Sequence, residues 1–312
     1  MGGSMKIVVT LTLLIAVALP ASSTMPQATP QEGATPAAAP LLKFTFKDIN
    51  APGAIETDTY GINDKNMMVG NYIDKSDIPH GMILIGGKKL FTVDCAAGPT
   101  TLYGINSSGR AVAQCGLGGD DGGVWVWIPG VGWVWIPIPP PGCPDCPYSV
   151  FGINDIEQVV GQWIDPNNLV HGFLVDTIKK TFTSLDVPGS TATTAWGINK
   201  SGQITVQAAD AAGLVHSYLY HAKTYKNIDV PGAQQTFAHG INNKGDIVFT
   251  TFDSAGNSHG ALLHAGRYYT FDDPKSNGAT RADGINDSLT IVGRYSPNPT
   301  SQQNYSFEAT VK

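Results

Sequence analysis

The tripeptide Gly-Ile-Asn occurs six times in this 312-residue chain, at spacings of 43 to 48 residues. The copies lie at 61–63, 104–106, 152–154, 197–199, 240–242 and 284–286. Regular repeats of this length are typical of architectures in which each unit buries its apolar face against the next one. This repeat constrains the fold more strongly than any other feature of the sequence.

Each repeat contains four short apolar runs, which we call A to D, separated by turn residues. Run A ends in Gly-Ile-Asn, B resembles Val159–Gly161, C begins with a histidine such as His171, and D ends as in Asp186–Gly189. Four strands in about 40–50 residues are typical of a propeller blade. The 36 glycines, 21 prolines and 14% charged residues suit short strands joined by tight turns. We therefore predict an all-β, six-bladed β-propeller of four-stranded blades over residues 42–312.

The two ends of the repeat region indicate how the ring closes. Phe44–Ile49 is a D-type run without runs A, B and C before it, whereas the last repeat has no D run. We expect the N-terminal strand to complete the last blade. Such closure removes the open sheet edges that would otherwise favour aggregation.

The repeat resembles the HAF repeat family of exported bacterial proteins in its GIN, VVG, HGF and DVPG segments. The resemblance implies propeller-like repeats and export, but no established activity. Repeat two departs from the pattern, because Gly122-Gly123 replaces the His-Gly pair and an insertion carries Pro139–Pro147.

The N-terminal segment predicts export. Residues 1–23 combine Lys6, an apolar stretch and small residues, as a secretory signal peptide does. Residues 24–41 are rich in Pro, Ala and Thr, which is typical of a linker. We predict a secreted protein, periplasmic or extracellular, without a membrane span. The net charge of −6 without a basic stripe argues against a nucleic-acid partner.

The four cysteines are expected to be structural. An even number in an exported chain favours disulfides over metal ligands, and the lone Cys143–Cys146 pair is weak as a redox or zinc motif. Together with Cys95 and Cys115 they fall in or beside the D-to-A and B-to-C connections, as does the run 118–123. This face of the ring therefore carries the irregular loops and cysteines, which suits a functional surface.

Comparison of the six copies separates scaffold from site. Positions kept in every copy serve folding, so the Gly-Ile-Asn asparagines either form a polar ring or, as we expect, cap their own turns. The recurring histidines are expected to bond the backbone of a neighbouring blade. They are His80, His171, His216 and His259. The aspartates that begin the B-to-C turns are expected to cap them, and they are Asp74, Asp165, Asp210 and Asp253.

Two columns of run A differ between copies. The residue before Gly-Ile-Asn is Tyr60, Tyr103, Phe151, Trp196, His239 and Asp283. Two residues earlier stand Asp58, Thr101, Ser149, Thr194, Phe237 and Arg281. Because side chains alternate along a strand, the two columns share one face. If run A is innermost, aromatic and polar groups meet at the axis in an asymmetric pocket. Alternatively, the aromatics only fill the axis and Arg281 pairs with Asp58 or Asp283.

The first functional hypothesis is a hydrolase of a small ester or lactone, such as an acyl lactone. The propeller is similar, at fold level only, to six-bladed calcium-dependent lactonases. Asp58 and Asp283 would hold Ca²⁺, although two aspartates are few for this ion. His239 would act as the base with a pKa near the working pH, and Arg281 would stabilise the developing charge. The acyl chain would contact Tyr60, Tyr103, Phe151, Trp196 and Phe237.

The second hypothesis is a non-catalytic module that binds a carbohydrate or an envelope protein. A multivalent lectin would repeat its binding residues in each blade, whereas the variable columns here are unlike one another. This difference favours one central site. The tryptophans of repeat two could stack on sugars, but we expect them to pack strand against strand. They are Trp125, Trp127, Trp133 and Trp135.

Overall fold

The structure is a computed structural model that describes residues 42–96, 98–116, 120–121, 123–298 and 304–312. The predicted signal peptide and linker lie outside these residues. The described residues form strands, turns and irregular segments, and none of them is helical. No described segment could therefore cross a membrane as an apolar helix.

The strands are short, as the turn-rich composition indicates. In chain order they are β1 (Phe44–Ile49), β2 (Glu56–Ile62), β3 (Met67–Ile73), β4 (Pro79–Ile85), β5 (Lys89–Thr92), β6 (Thr100–Ile105), β7 (Ala111–Cys115), β8 (Asp120–Asp121), β9 (Gly123–Ile128), β10 (Gly132–Pro137), β11 (Pro147–Ile153), β12 (Gln158–Ile164), β13 (Val170–Asp176), β14 (Thr181–Leu185), β15 (Ala192–Ile198), β16 (Ile204–Ala209), β17 (Val215–His221), β18 (Thr224–Asn227), β19 (Gln235–Ile241), β20 (Ile247–Phe252), β21 (Ser258–His264), β22 (Arg267–Phe271), β23 (Thr280–Ile285), β24 (Thr290–Tyr295) and β25 (Tyr305–Val311).

The strands form six antiparallel blades around one axis, which confirms the predicted six-bladed propeller. The sheet orders are β2-β3-β4-β5, β6-β7-β9-β10, β11-β12-β13-β14, β15-β16-β17-β18, β19-β20-β21-β22 and β23-β24-β25-β1. Blade two is regular despite its unusual repeat, and the extra strand β8 pairs with β11 of blade three. Run A supplies the innermost strand of each blade.

The ring closes through the N-terminal strand, as predicted. β1 pairs antiparallel with β25, so that Phe44 lies opposite Val311 and Ile49 opposite Ser306. The Lys43 N–H donates to the Lys312 carbonyl at 2.8 Å and extends the pairing to the last residue. The final blade therefore joins the first and last strands of the propeller.

Each interface between neighbouring blades contains its own apolar cluster. Between blades three and four, Val160 and Leu185 pack with Ile204 and Val206. Equivalent clusters fill the other five interfaces. Burial of each such side chain stabilises the fold by about 1.5–3 kcal/mol. The blades thus hold one another in place, and the variable residues of run A are fixed relative to the axis.

A β-bulge in every innermost strand shapes the hub. The pairing with the second strand shifts register beside the glycine of Gly-Ile-Asn, for example between Thr59 and Gly61. A bulge re-aims the side chain at its position. The glycine itself is required by close approach, because a Cβ there would lie 2.5 to 3.0 Å from a carbonyl oxygen of the next blade.

Candidate functional site

The bulges turn six unlike side chains toward the axis. They line one end of a central space of about 80 Å³, which we call the hub cavity. The lining side chains are Tyr60, Tyr103, Phe151, Trp196, His239 and Asp283. The structure thus brings together the variable residues that directly precede Gly-Ile-Asn. Six buried isoleucines from the same tripeptide lie between this cavity and the opposite end of the axis.

Aromatic rings form a continuous arc around more than half of the hub cavity. The ring centroids of Tyr60 and Tyr103 lie 4.9 Å apart, and those of Tyr103 and Phe151 lie 5.2 Å apart. Phe151 stacks on Trp196 at 4.1 Å, and Trp196 meets His239 edge-on at 4.9 Å. Such pairs stabilise one another beyond the area they bury. Their remaining edges and faces give the cavity a rigid apolar wall.

The charged side of the cavity is organised by Arg294, which the sequence analysis missed. Its Nε and Nη2 donate to the two carboxylate oxygens of Asp283 at 3.1 and 3.3 Å. Its Nη1 lies 3.9 Å from Oδ1 of Asp58, and its guanidinium lies 4.6 Å from the Tyr60 ring centroid. Arg294 is therefore the partner of both aspartates, not Arg281 as one alternative had it.

A comparison of the copies one strand further out would have found Arg294. The residue of the second strand that pairs with the Asp58 column is uncharged in five blades and arginine in the sixth. These residues are Asn71, Gln114, Gln162, Gln207, Thr250 and Arg294.

The remaining predicted residues lie further from the cavity floor. Arg281 is exposed in the mouth above the cavity, where its charge acts on Asp58 and His239. Phe237 packs against Phe252 of its own blade with a centroid distance of 5.5 Å and is not among the cavity-lining side chains.

Burial shifts the pKa values of the ionisable side chains around the hub cavity. It lowers the pKa of His239 to about 4, so this imidazole is neutral at pH 7. The expected pKa near the working pH is therefore wrong, because the neighbouring blades desolvate the ring. Burial raises the pKa of Asp58, an effect that the nearby Arg294 opposes, and raises the pKa of Tyr103 to about 12. Both tyrosines at the axis remain neutral donors, since burial also raises the pKa of Tyr60 well above its ordinary value.

Several buried polar atoms at or beside the hub have no hydrogen-bond partner among the described residues. They are Oδ1 of Asp58, Nε1 of Trp196, Nδ1 of His239 and Oγ1 of Thr250. A buried polar group without a partner costs about 1–3 kcal/mol. A cluster of such atoms around one cavity indicates a place that a ligand or ordered water completes.

The donor set at the axis does not fit Ca²⁺. This ion takes 6–8 oxygen ligands, whereas Asp283 is already neutralised by two hydrogen bonds from Arg294. The same guanidinium lies beside Asp58, in the position that a cation would need. No cluster of three or more His, Cys, Asp or Glu side chains in the described ranges could hold a metal ion. We therefore derive no step through a metal.

At the opposite end of the axis, the six Gly-Ile-Asn asparagines both form a ring and cap their turns. Each Nδ2 donates to the backbone carbonyl of the asparagine in the next blade, at 2.9 to 3.3 Å. Each Oδ1 accepts backbone N–H bonds within its own turn, as Asn63 does from Lys65 and Met67. The two predicted roles are therefore not alternatives.

The recurring histidines bond carboxylates of their own blade, so the prediction of a bond to a neighbouring backbone is wrong. In all four blades Nδ1 lies 2.7 to 3.0 Å from an aspartate of the D-to-A connection. Nε2 lies 3.6 to 3.7 Å from the aspartate of the B-to-C turn. We call each such group an Asp-His-Asp triad. The turn aspartates also cap their turns as predicted, by accepting two backbone N–H bonds at 2.8 to 3.0 Å.

The cysteines and tryptophans have structural surroundings. Cys143 and Cys146 form a disulfide, whereas Cys95 and Cys115 are buried thiols. The four tryptophans of blade two pair across β9 and β10, which confirms the expected strand-to-strand packing. Trp133 also donates from Nε1 to the Asp94 carbonyl of blade one at 3.0 Å.

Solved structures share the fold at low sequence identity. TolB from Acinetobacter baumannii superposes with a TM-score of 0.53 at 10% identity, over 83% of this chain and 66% of TolB, just under two thirds of it. A candidate gluconolactonase gives 0.54 at 13% identity over 86% of this chain and 93% of that one. The SapL1 lectin, solved with α-methyl fucoside, gives 0.52 at 11% identity over 83% and 96%.

These similarities show the propeller fold alone. No family model matches the chain, and no curated protein matches it by sequence. Membership of the HAF repeat family and export therefore stay predictions. The function has to be argued from the hub itself.

Proposed function

We propose that the protein binds one small hydroxylated molecule, of the carbohydrate class, in the hub cavity. The observation that carries this proposal is an aromatic arc lining a cavity, with buried polar atoms at or beside it that have no hydrogen-bond partner among the described residues. Ring faces and edges suit the C–H surfaces of a sugar, and the polar atoms suit its hydroxyl groups. The cavity of about 80 Å³ is smaller than the roughly 150 Å³ of a protein cavity that binds benzene, so it takes one edge of a sugar ring while the rest of the ring lies in the mouth above it.

The polar atoms are of complementary kinds. Oδ1 of Asp58 can only accept while the carboxyl group is ionised, and Nε1 of Trp196 can only donate. Nδ1 of the neutral His239 can do either, depending on the tautomer. A hydroxyl group both donates and accepts, so a polyhydroxylated ring can satisfy all three. An aliphatic ligand would leave them without partners, at a cost for each.

Binding is favoured over hydrolysis by the state of the charged groups. Both aspartates assigned to a metal are turned toward Arg294, and a pKa of about 4 makes His239 a weak base. General bases work best when their pKa lies near the operating pH. The groups at the hub therefore suit holding a ligand better than activating water.

Hydrolysis of an ester or lactone is the second candidate, and one observation favours it. His239 lines the hub cavity and is neutral at pH 7, and its buried Nδ1 has no hydrogen-bond partner among the described residues. It could accept a proton from a water molecule that attacks a bound ester carbonyl, without a metal. Such a reaction would rise with pH through about 4 and then stay level, because the base is deprotonated at all higher pH values.

The test of the proposed function is a titration of the purified protein with a panel of monosaccharides and small lactones. We expect calorimetric binding of a sugar and a loss of about tenfold or more in affinity for Trp196→Leu, because a stacking face is lost. Trp127→Leu, in the outer part of blade two, is the matched control and should bind like the parent chain. Product formation is followed by NMR in the same samples.

Three outcomes separate the candidates. Sugar binding that depends on Trp196 but not on Trp127, without turnover, supports the binding function. Equal loss in both variants would show that the hub cavity is not the site. Turnover of a lactone or ester that disappears in His239→Gln would establish the hydrolase instead.

A further inference from the structure

Arg281 is a cation at the mouth of the hub cavity that pairs with none of the described residues. It forms no ion pair with any residue in the described part of the chain, and its side chain is exposed. Directly across the strand pair β23–β24 it faces Arg294. Like charges opposite each other in a sheet destabilise the pair. The fold therefore holds a second guanidinium at a position where it is electrostatically unfavourable.

Arg294, not Arg281, is the counter-charge of the acidic groups nearby, although it makes no hydrogen bond to Oδ1 of Asp58. Both oxygens of Asp283 accept from Arg294, and the carboxylate of Asp58 lies 3.9 Å from the same guanidinium. The equivalents of Arg281 in blades two to four are Thr101, Ser149 and Thr194, which carry no charge. No residue in the described ranges accepts a hydrogen bond from Arg281, so its five N–H donors can serve a molecule in the mouth.

The chemistry of this arrangement is selective. A guanidinium with free donors binds a carboxylate through two parallel hydrogen bonds, which are stronger than neutral ones. Asp58 stands at the same level of the ring as Arg281, and Trp196 lies one layer deeper. Oδ1 of Asp58 and Nε1 of Trp196 are buried without a hydrogen-bond partner among the described residues and suit hydroxyl groups, and the aromatic arc suits the C–H surface of a ring. A single molecule that meets all three requirements has a hydroxylated ring with one carboxylate at its edge.

We propose that the ligand of the hub cavity is a sugar acid, a uronate-type ring whose carboxylate is bound by Arg281. This inference rests on the proposed binding function and specifies the substrate class of the same site. A free sugar acid and the terminal unit of an acidic polysaccharide present the same chemistry. Either source would place the same ring partly in the hub cavity and partly in the mouth above it, with its carboxylate beside Arg281.

The contribution of the carboxylate charge to the binding affinity can be measured by comparing an acidic ligand with its neutral ester. Glucuronate and its methyl ester differ in the carboxylate charge and little else. We expect the full chain to bind glucuronate at least about tenfold more tightly than the methyl ester or glucose, and less tightly as salt is added. A glucuronate oligomer in parallel shows whether a chain end binds better than the free acid.

Arg281→Gln isolates the residue, and Arg267→Gln, an exposed arginine on β22 of blade five, is its matched control. We expect Arg281→Gln to bind glucuronate and its methyl ester equally, while Arg267→Gln keeps the preference. Arg281→Gln should also unfold at the same or a higher temperature, because it removes a like-charge contact. We therefore expect Arg281→Gln to be folded, so a loss of its preference for glucuronate would not result from unfolding.

The outcomes distinguish this inference from the function on which it rests. Binding of neutral sugars without a preference for the acid, or a preference that Arg281→Gln retains, overturns the sugar-acid assignment and leaves hub binding intact. Binding of neither neutral nor acidic sugars overturns both. A preference for the acid that disappears only in Arg281→Gln establishes the assignment.

Discussion

At the scale of single residues, the charge balance of the hub depends on Arg294. It is largely buried, it bonds both oxygens of Asp283, and it lies beside Asp58 and over Tyr60. Removing one partner of a buried ion pair leaves an uncompensated charge in a poorly solvated place. The arginine is therefore structural for the two aspartates, even though it does not come from the innermost strand.

This role predicts a large effect of Arg294→Gln on stability. We expect the free energy of unfolding to fall by about 3–5 kcal/mol, because Asp283 and Asp58 lose their counter-charge. Urea denaturation of the purified chain measures it. The exposed control Arg267→Gln should change stability by no more than about 0.5 kcal/mol.

A second substitution separates lost charge from lost packing. Adding Asp283→Asn to Arg294→Gln should recover part of the stability, because the stranded carboxylate is removed as well. A single variant as stable as the control, or a double variant less stable than the single one, would contradict the ion-pair account.

His239 illustrates what residue identity alone cannot give. Its position at the axis was predictable from the repeat, since it occupies the same column as the aromatic residues. Its pKa was not, because the shift to about 4 arises from desolvation by surrounding blades. Arg294 escaped prediction for a related reason: contacts between neighbouring strands, not positions within one strand, decide which charges pair.

At the scale of the element, Gly-Ile-Asn serves the fold in three separate ways. The glycine admits the carbonyl of the next blade, the isoleucine is buried at the axis, and the asparagine links its turn to the next one. Their recurrence in all six copies correctly predicted a scaffold role. Sequence comparison could not show that one side-chain amide makes both contacts. Its N–H group donates to the next blade, whereas its oxygen accepts within its own turn.

The Asp-His-Asp triads, also repeated elements, make stability depend on pH. The hydrogen bonds that His80 and His216 donate to Asp94 and Asp229 raise the pKa of both histidines above its ordinary value. A raised pKa in the folded state stabilises the fold fully below the unfolded pKa. That contribution is lost as pH rises through the folded pKa. His239 acts in the opposite direction, since its lowered pKa costs stability as pH falls from about 6.5 toward 4.

We therefore predict that the stability difference between the parent chain and His216→Gln is larger at about pH 5.5 than at about pH 8.5. Chemical denaturation of both proteins at the two pH values measures it, and the comparison cancels the opposing effect of His239. A difference that stays constant with pH would show that His216 contributes packing only.

At the scale of the whole molecule, the repeat predicted the number of blades, their four strands and the closure by β1. The repeat predicts these features because every blade buries the same two faces against structurally equivalent neighbours. The position of the candidate site also followed, since unlike residues at equivalent positions must meet at the axis. The chemistry of the site did not follow, because cross-strand pairs such as Arg281 with Arg294 depend on register.

Ring closure also bears on the number of binding sites. A propeller that binds through repeated residues would offer one site for each blade, whereas the axis offers a single place shared by all of them. Each of the six residues that surround the hub cavity contributes a different chemistry, apart from the two tyrosines. Because the residues before Gly-Ile-Asn differ between the copies and meet at the axis, they form one shared binding site and not six equivalent ones.

The stoichiometry of sugar binding, measured by calorimetric titration of the intact chain, tests this account most directly. Convergence of the unlike residues at the axis predicts one equivalent of ligand for each chain, and Trp196→Leu should weaken that single event. Several equivalents per chain, insensitive to Trp196→Leu, would place binding on the blades and contradict it.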